Sequence, residues 1–182
     1  MKVIIIKNRI IKLFLILLIS AIIILSISIT YFYQHGDASY SVAIVLNQDD
    51  YSTLIIPLPI DSQGRTPNEL MKKIEYKCIT CKKINNIHGV GLMITTNQSI
   101  HFEITYEKFW TINEHLKFSQ KDTQNSTLGN YWIFYNTTSN SSIQVSIFLV
   151  TNHHASMWGN KIETHINPGW EKVHASQFHS TA

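Results

Sequence analysis

The chain has 182 residues, of which 45% are hydrophobic and 15% charged, and its formal net charge is +3. This length allows one domain and an appendage. The first 36 residues contain four basic and no acidic residues, which leaves 11 basic against 12 acidic residues in the other 146. A near-neutral remainder lacks the basic surface that nucleic acid requires, so we exclude nucleic-acid binding.

The first predicted element is an apolar helix. Residues 13–29 read LFLILLISAIIILSISI, a run without charge, and an aromatic cluster at residues 31–33 extends it. As a helix, residues 13–33 span about 31 Å, which matches the hydrocarbon thickness of a bilayer. The four basic residues precede the helix, so the positive-inside rule keeps residues 1–12 in the cytoplasm and the following domain outside. The bilayer is therefore the partner predicted for residues 13–33.

A cleaved secretory signal is the alternative interpretation of this segment. Ser26-Ile27-Ser28 and Ser28-Ile29-Thr30 both have small residues at the spacing of a cleavage site. The apolar run is longer than the roughly 7–15 residues usual for a signal, and no Ala-x-Ala occurs, which favours a retained anchor. Both interpretations place the domain outside the cytoplasm.

The rest of the chain has the pattern of a β-domain. After a linker at residues 34–39, short apolar runs separated by turn formers predict this domain at residues 40–174, with a tail at 175–182. A helix capped by Thr66 and running to about Ile74 interrupts the strands. The predicted fold is mainly β: an antiparallel β-sandwich with one short helix, preceded by a single N-terminal transmembrane helix. A barrel is the lesser option.

Turn signals predict how some strands connect. Asn97-Gln98 predicts a hairpin between strands 90–96 and 99–107, and Asn167-Pro168-Gly169 predicts another between strands 161–166 and 170–174. Strand 51–60 contains two prolines, so it should lie at a sheet edge or leave the sheet near Pro57.

Cys78 and Cys81 are the only cysteines. In an oxidising exterior the default interpretation is a structural disulfide, which closes a small loop and stabilises the fold by about 2 kcal/mol. A redox-active pair is the alternative, and the adjacent Lys82-Lys83 favours a thiolate. However, no helix is predicted directly after the pair, which favours the structural role.

Five of the nine histidines lie in the last thirty residues. His165 and His174 would meet across the predicted hairpin at residues 167–169, and imidazole binds copper, nickel or zinc. No carboxylate is placed by spacing to orient these rings. Ordinary polar positions on strands are therefore the favoured interpretation, and we predict no cofactor.

Four sequons, at Asn97, Asn125, Asn136 and Asn140, fall in predicted loops, where a glycan has room if the host glycosylates. The four tryptophans would form a sugar-stacking surface if they were aligned on an exposed face, although core or rim positions are more usual in β-domains. These are Trp110, Trp132, Trp158 and Trp170. No spacing typical of catalytic residues occurs, so an enzyme is the less favoured class.

The motifs Leu54-Ile-Ile-Pro-Leu-Pro-Ile60, His88-Gly-Val-Gly-Leu-Met-Ile94 and Gly169-Trp170 follow a basic start and an anchor helix. This order resembles uncharacterised archaeal single-pass membrane-anchored proteins with an extracellular β-domain. The resemblance implies a location and a fold but no active site. We therefore predict a binding or structural envelope component, or an accessory subunit of other membrane proteins. An exported metal- or redox-active protein is the alternative.

Overall fold

The computed structural model describes residues 2–46, 51–61, 63–78, 80–109, 117–119, 129–139, 141–153 and 156–181. The chain divides into two units, and the boundary between them in the sequence lies between His35 and Gly36. The helices are α1 (Lys2–Gln34) and α2 (Asn68–Lys77). The strands are β1 (His35–Val45), β2 (Ser52–Pro57), β3 (Pro59–Ile60), β4 (Cys81–Asn86), β5 (Gly89–Thr96), β6 (Ile100–Phe109), β7 (Lys117–Phe118), β8 (Asn130–Thr137), β9 (Ile143–His153), β10 (Ser156–Ile166), β11 (Gly169–His174) and β12 (Ser176–Thr181). The predicted mainly-β class is confirmed.

Helix α1 is long and apolar enough to cross a membrane. Its stretch Lys12–Thr30 has 19 residues and a mean hydropathy of 2.9, and none of it is buried against the rest of the chain. The hydroxyls of Ser20, Ser26 and Thr30 each donate a hydrogen bond of 2.8 Å to a backbone carbonyl of the preceding turn. These bonds pair the hydroxyls within the helix, which lowers the cost of placing them in lipid. A signal sequence near the N-terminus would also meet these criteria of length and hydropathy.

Two antiparallel sheets of five strands make up most of the second unit. Sheet 1 has the order β12-β10-β9-β1-β6, and sheet 2 has the order β11-β8-β2-β5-β4. Strands β3 and β7 form a separate two-stranded pair. In sheet 1, β9 and β10 form a hairpin whose ladder runs from His153↔Ser156 to Ile143↔Ile166.

Alternation along the strands places one face of each sheet in a common apolar cluster. In sheet 1, Phe102, Ile104 and Tyr106 of β6 are buried, and so are alternate residues of β9. In sheet 2, Leu54 and Ile56 of β2 are fully buried. The inward residues of β9 are Ile143, Val145, Ile147 and Leu149. Both sheets therefore contribute to a single core.

The two predicted hairpins are wrong, because at both turns the chain passes from one sheet to the other. Strand β5 lies in sheet 2 and β6 in sheet 1, while β10 lies in sheet 1 and β11 in sheet 2. At the first corner, the backbone N–H of Gln98 donates to Thr96 Oγ1 at 3.1 Å, and Ser99 Oγ accepts from the backbone N–H of Leu46 at 3.0 Å. A turn signal shows that the chain changes direction but does not specify the strand with which it pairs.

The predicted boundaries are wrong at both ends of the domain. The segment predicted as a linker, residues 34–39, lies mostly in β1, where Ala38 is fully buried and Asp37 pairs with Asn152. The segment predicted as a tail, residues 175–182, contains β12, which pairs with β10. Strand β12 is an edge strand with a polar sequence, so no apolar run marks it. The polar edge strand β4 is missing from the prediction for the same reason.

Strand β2 lies between β8 and β5, so the predicted edge position is wrong, whereas its departure from the sheet at Pro57 is confirmed. The predicted helix cap is also wrong. Helix α2 begins at Asn68, with Pro67 before it and no side-chain capping bond, and it continues to Lys77. The Thr66 hydroxyl is buried instead, and it has no hydrogen-bond partner among the described residues.

Candidate functional site

The candidate site is a cluster of rings on the outer face of sheet 2, the face opposite the core. We call it the aromatic patch, and its members are His88, Trp132, Phe134 and Trp170. Alternation along β8 creates it, because Tyr131, Ile133 and Tyr135 are buried in the core and the residues between them therefore point outward. In the β8–β11 ladder, Trp170 lies directly opposite Phe134.

The rings of the patch contact one another in a row. The imidazole of His88 stacks on the indole of Trp132, with 4.5 Å between ring centroids and 20° between planes. The same imidazole meets Trp170 edge-on at 4.5 Å, and Trp170 contacts Phe134 at 5.2 Å. Trp170 is 37% exposed and so provides the accessible ring surface.

The turn between β4 and β5 positions His88. Its backbone N–H donates a hydrogen bond of 2.7 Å to Asn86 Oδ1, which closes an Asx-type turn. Gly89 follows with a φ of 123°, a backbone conformation that side chains with a Cβ rarely adopt. This short turn directs the imidazole over the outer face of sheet 2, where it fits between the two indoles.

Apolar side chains extend the patch across the sheet. Register places Ile55 of β2 beside Phe134 and Met93 of β5 beside Ile55. The row ends at the exposed Lys82 of the edge strand β4. The outer face of a solvated antiparallel sheet is usually polar. A continuous apolar row on this face therefore indicates a contact surface.

Hydrogen-bonding groups flank the rings. The indole Nε1 of Trp132 is buried and has no hydrogen-bond partner among the described residues. The exposed Lys172 lies opposite Trp132 in the ladder, and His174 Nδ1 lies 3.4 Å from Asn130 Oδ1. An indole N–H can only donate. The buried indole N–H of Trp132 is out of reach of a surface ligand, so the patch offers stacking surfaces with the exposed Lys172 side chain beside them as a donor.

Two of the four sequon asparagines lie among the described residues. Asn97 is exposed at the corner between β5 and β6. Asn136 is also exposed, but it belongs to β8 rather than to the predicted loop, and it pairs with Thr53 of β2. It shares the outer face of β8 with Trp132 and Phe134. The predictions for Asn125 and Asn140 lie outside the described residues.

Cys78 and Cys81 form a disulfide, with 5.3 Å between their Cα atoms. Cys78 caps the C-terminus of α2, and Cys81 begins β4. Both are largely buried in the core cluster. The negative end of the helix dipole disfavours a thiolate at this position, and burial limits access, so the geometry favours a structural disulfide over a redox-active one.

Helix α2 lies along β6, one of the two edge strands of sheet 1. Its Lys73 and Lys77 side chains donate hydrogen bonds to the backbone carbonyls of Thr105 and Glu103, at 2.9 and 2.6 Å. These carbonyls belong to β6, an edge strand of sheet 1. The disulfide at the end of the same helix leads into β4, the edge strand of sheet 2. Helix α2 and its disulfide therefore secure one edge of each sheet.

The two candidate metal ligands lie on different sheets. His165 is exposed on β10 opposite Gln144 of sheet 1, whereas His174 is exposed on β11 opposite Asn130 of sheet 2. The hairpin that would join them is absent, because the chain changes sheets between these strands. Within the part of the chain that the structure describes, no group of three or more histidine, cysteine or acidic side chains is placed to hold a metal.

Of the four tryptophans, Trp132 and Trp170 share the outer face of sheet 2. Trp158 lies on sheet 1, with its indole 3.9 Å from the imidazole of His179, and Trp110 falls outside the described residues. Sequence reasoning missed Phe134 and His88. Alternation across Tyr-Trp-Ile-Phe-Tyr would have placed Phe134 beside Trp132. No sequence signal marks His88, because a turn positions it.

Comparisons with known proteins leave the site to be interpreted from its own geometry. No family model, curated protein or solved structure matches this chain.

Proposed function

We propose that this chain is a single-pass membrane protein, with residues 1–12 in the cytoplasm and a β-sandwich outside. The basic N-terminus, the exposed apolar stretch Lys12–Thr30 and the disulfide support this arrangement. The common core cluster supports face-to-face packing of the two sheets as a sandwich.

In this location the protein acts as a binding and structural component of the envelope, and its aromatic patch contacts carbohydrate. The observation that carries this proposal is the partly exposed indole of Trp170, within a row of rings on a face that water would otherwise cover. The apolar C–H faces of sugar rings stack on aromatic rings, and their hydroxyls accept hydrogen bonds from exposed donors such as the side chain of Lys172, which lies opposite Trp132. The near-neutral domain suits an uncharged ligand.

Protease accessibility tests the location. We expect a C-terminal epitope on the full chain to be removed by protease added to intact cells, while an N-terminal epitope stays protected. The outside location places the C-terminus within reach of the protease. A C-terminal epitope that is digested only after lysis would overturn the proposed topology.

Saccharide binding tests the patch. Full-length protein made in a host without N-glycosylation, in lipid nanodiscs, would be titrated calorimetrically with neutral di- to tetrasaccharides of hexoses and N-acetylhexosamines. We expect weak, millimolar binding that Trp170→Ala weakens at least fivefold, because the stacking surface is lost. Trp158→Ala is the matched control, since Trp158 is also exposed but lies on sheet 1. Absence of binding by the unmutated chain, or equal losses in both variants, would refute a carbohydrate role for the patch.

A further inference from the structure

We infer that Asn136 carries an N-linked glycan and that this glycan is the carbohydrate that covers the aromatic patch. The inference rests on the proposed function, because an N-glycan requires the domain to be outside the cytoplasm. It goes further by naming the occupant: a sugar attached to the same chain. The aromatic patch is then the binding surface for the protein's own glycan.

The position of Asn136 relative to the rings carries this inference. Asn136 lies two residues beyond Phe134 on the same face of β8, so their Cα atoms are about 7 Å apart. Because Tyr135 pairs with Gly169 and Phe134 pairs with Trp170, Asn136 and Trp170 are diagonal neighbours across the ladder, at roughly 7–8 Å. The first sugar bonded to the Asn136 amide thus lies beside Phe134, and the glycan can continue from there over Trp170.

The sequon itself is open to modification. Asn136 and Thr138 are both exposed, so the side chains of the sequon are accessible. The cross-strand neighbour of Asn136 is Thr53, a small uncharged residue. The neighbourhood therefore accommodates a bulky polar substituent on one side and stacks its first sugars on the other.

The modifying reaction is a glycosyl transfer from a lipid-linked sugar phosphate, catalysed by a separate transferase. A bond forms between Asn136 Nδ2 and C1 of the first sugar. The bond between C1 and the phosphate oxygen breaks, and the lipid phosphate departs with that electron pair. The amide nitrogen loses one proton to a base of the transferase.

Asn97 is a matched sequon without the aromatic neighbours. It is exposed at the β5–β6 corner, and the residue two positions before it is Thr95, so a glycan at Asn97 has no ring of the same strand on which to stack. Comparison of the two sites separates the protection that comes from a glycan lying over the aromatic patch from any effect of glycosylation in general.

The experiment uses the full chain expressed in its natural cells. Glycopeptide mass spectrometry would measure the occupancy of both sequons, and hydroxyl-radical footprinting would measure the oxidation rate of Trp170. We expect Asn136 to be glycosylated and Trp170 to be oxidised at least threefold faster in Asn136→Gln than in the unmutated chain. Asn97→Gln should leave the oxidation rate of Trp170 unchanged.

Three outcomes would contradict the inference, and they have different implications. An unmodified Asn136 in a chain that carries a glycan at Asn97 overturns the inference and leaves the exterior location intact. A glycan at Asn136 that does not protect Trp170 shows that the patch has another occupant. If neither sequon carries a glycan in cells that glycosylate a control envelope protein, the inference is refuted. The protease experiment then decides whether the proposed exterior location is also wrong.

Discussion

Two buried tyrosines in the core are chemically alike but differently partnered. The Tyr40 hydroxyl donates a hydrogen bond to the carbonyl of Pro57 at 3.1 Å, whereas the Tyr106 hydroxyl is buried without a partner among the described residues. Burial raises the pKa of both phenols, and the neighbouring Glu69 raises the pKa of Tyr106 further. Each hydroxyl is therefore held neutral in the folded protein.

We expect Tyr40→Phe to lower the free energy of unfolding at pH 7 by about 1 kcal/mol, since it removes a hydrogen bond and leaves a carbonyl unpaired. Tyr106→Phe should change it by less than about 0.5 kcal/mol, because that hydroxyl has no described partner to lose. Chemical denaturation of both variants measures the difference. Equal losses in the two variants would contradict this account.

The raised pKa values also set a pH dependence. The contribution of these two neutral phenols to the free energy of unfolding is fully present below about pH 10, where an unfolded tyrosine is still neutral. This contribution is lost as the pH rises from there towards the higher pKa of the folded state. Tyr106→Phe removes one of these groups, so its melting temperature should fall less steeply above pH 10 than that of the unmutated chain. Thermal unfolding followed from pH 8 to pH 11 checks the sign.

At the residue scale, the sequence indicates which face of a strand is buried better than it indicates which side chains contact one another. The alternation of apolar residues in β6 and β9 can be read from the sequence and matches their buried faces, because burial of one face follows directly from a period of two. It did not identify the stacking of His88 on Trp132. That contact depends on register across several strands, which a single chain does not reveal.

At the scale of elements, α2 stabilises both sheets. Two of its lysines pair with carbonyls of β6, and its terminal disulfide leads directly into β4. Edge strands left uncovered are sites of intermolecular pairing. The exposed Lys82 and Lys83 on β4 oppose such pairing on sheet 2, so both edges on this side are protected.

We expect Cys78→Ser/Cys81→Ser to lower the free energy of unfolding by about 2 kcal/mol through the loss of a small closed loop. A reductant should lower the melting temperature of the unmutated chain to that of the variant and leave the variant unchanged. Thermal unfolding with and without reductant measures both. If the variant keeps its full stability but loses a thiol–disulfide exchange activity, the redox alternative is correct instead.

The errors at this scale share one cause. Turn signals at residues 97–98 and 167–169 correctly indicated reversals, but each reversal joins strands of different sheets. The choice between a hairpin and a crossing depends on which strands are already neighbours. In this fold β1 separates β6 from β9, and β2 separates β8 from β5. No local pattern contains that information.

At the scale of the whole molecule, the two units differ in composition and in the surfaces that they expose. Helix α1 has the length and composition of a membrane span, and the β unit is near-neutral, contains a disulfide and carries the aromatic patch on the outer face of sheet 2. These properties are consistent with a protein that is held at a surface and acts by contact. Composition alone predicted the first unit, whereas the surface of the second required the strand order.

The pairing of β1 with β9 has a consequence for biogenesis. Strand β1 directly follows the apolar helix, yet its partner begins at Ile143, and Asp37 pairs with Asn152 near the far end of the chain. Strand β1 can therefore pair with β6 first, but its pairing with β9 has to wait until most of the polypeptide has been synthesised, and such distant pairings form slowly. We expect sheet 1 to be completed only after β9 has been synthesised, so a shorter nascent chain would leave one side of β1 unpaired.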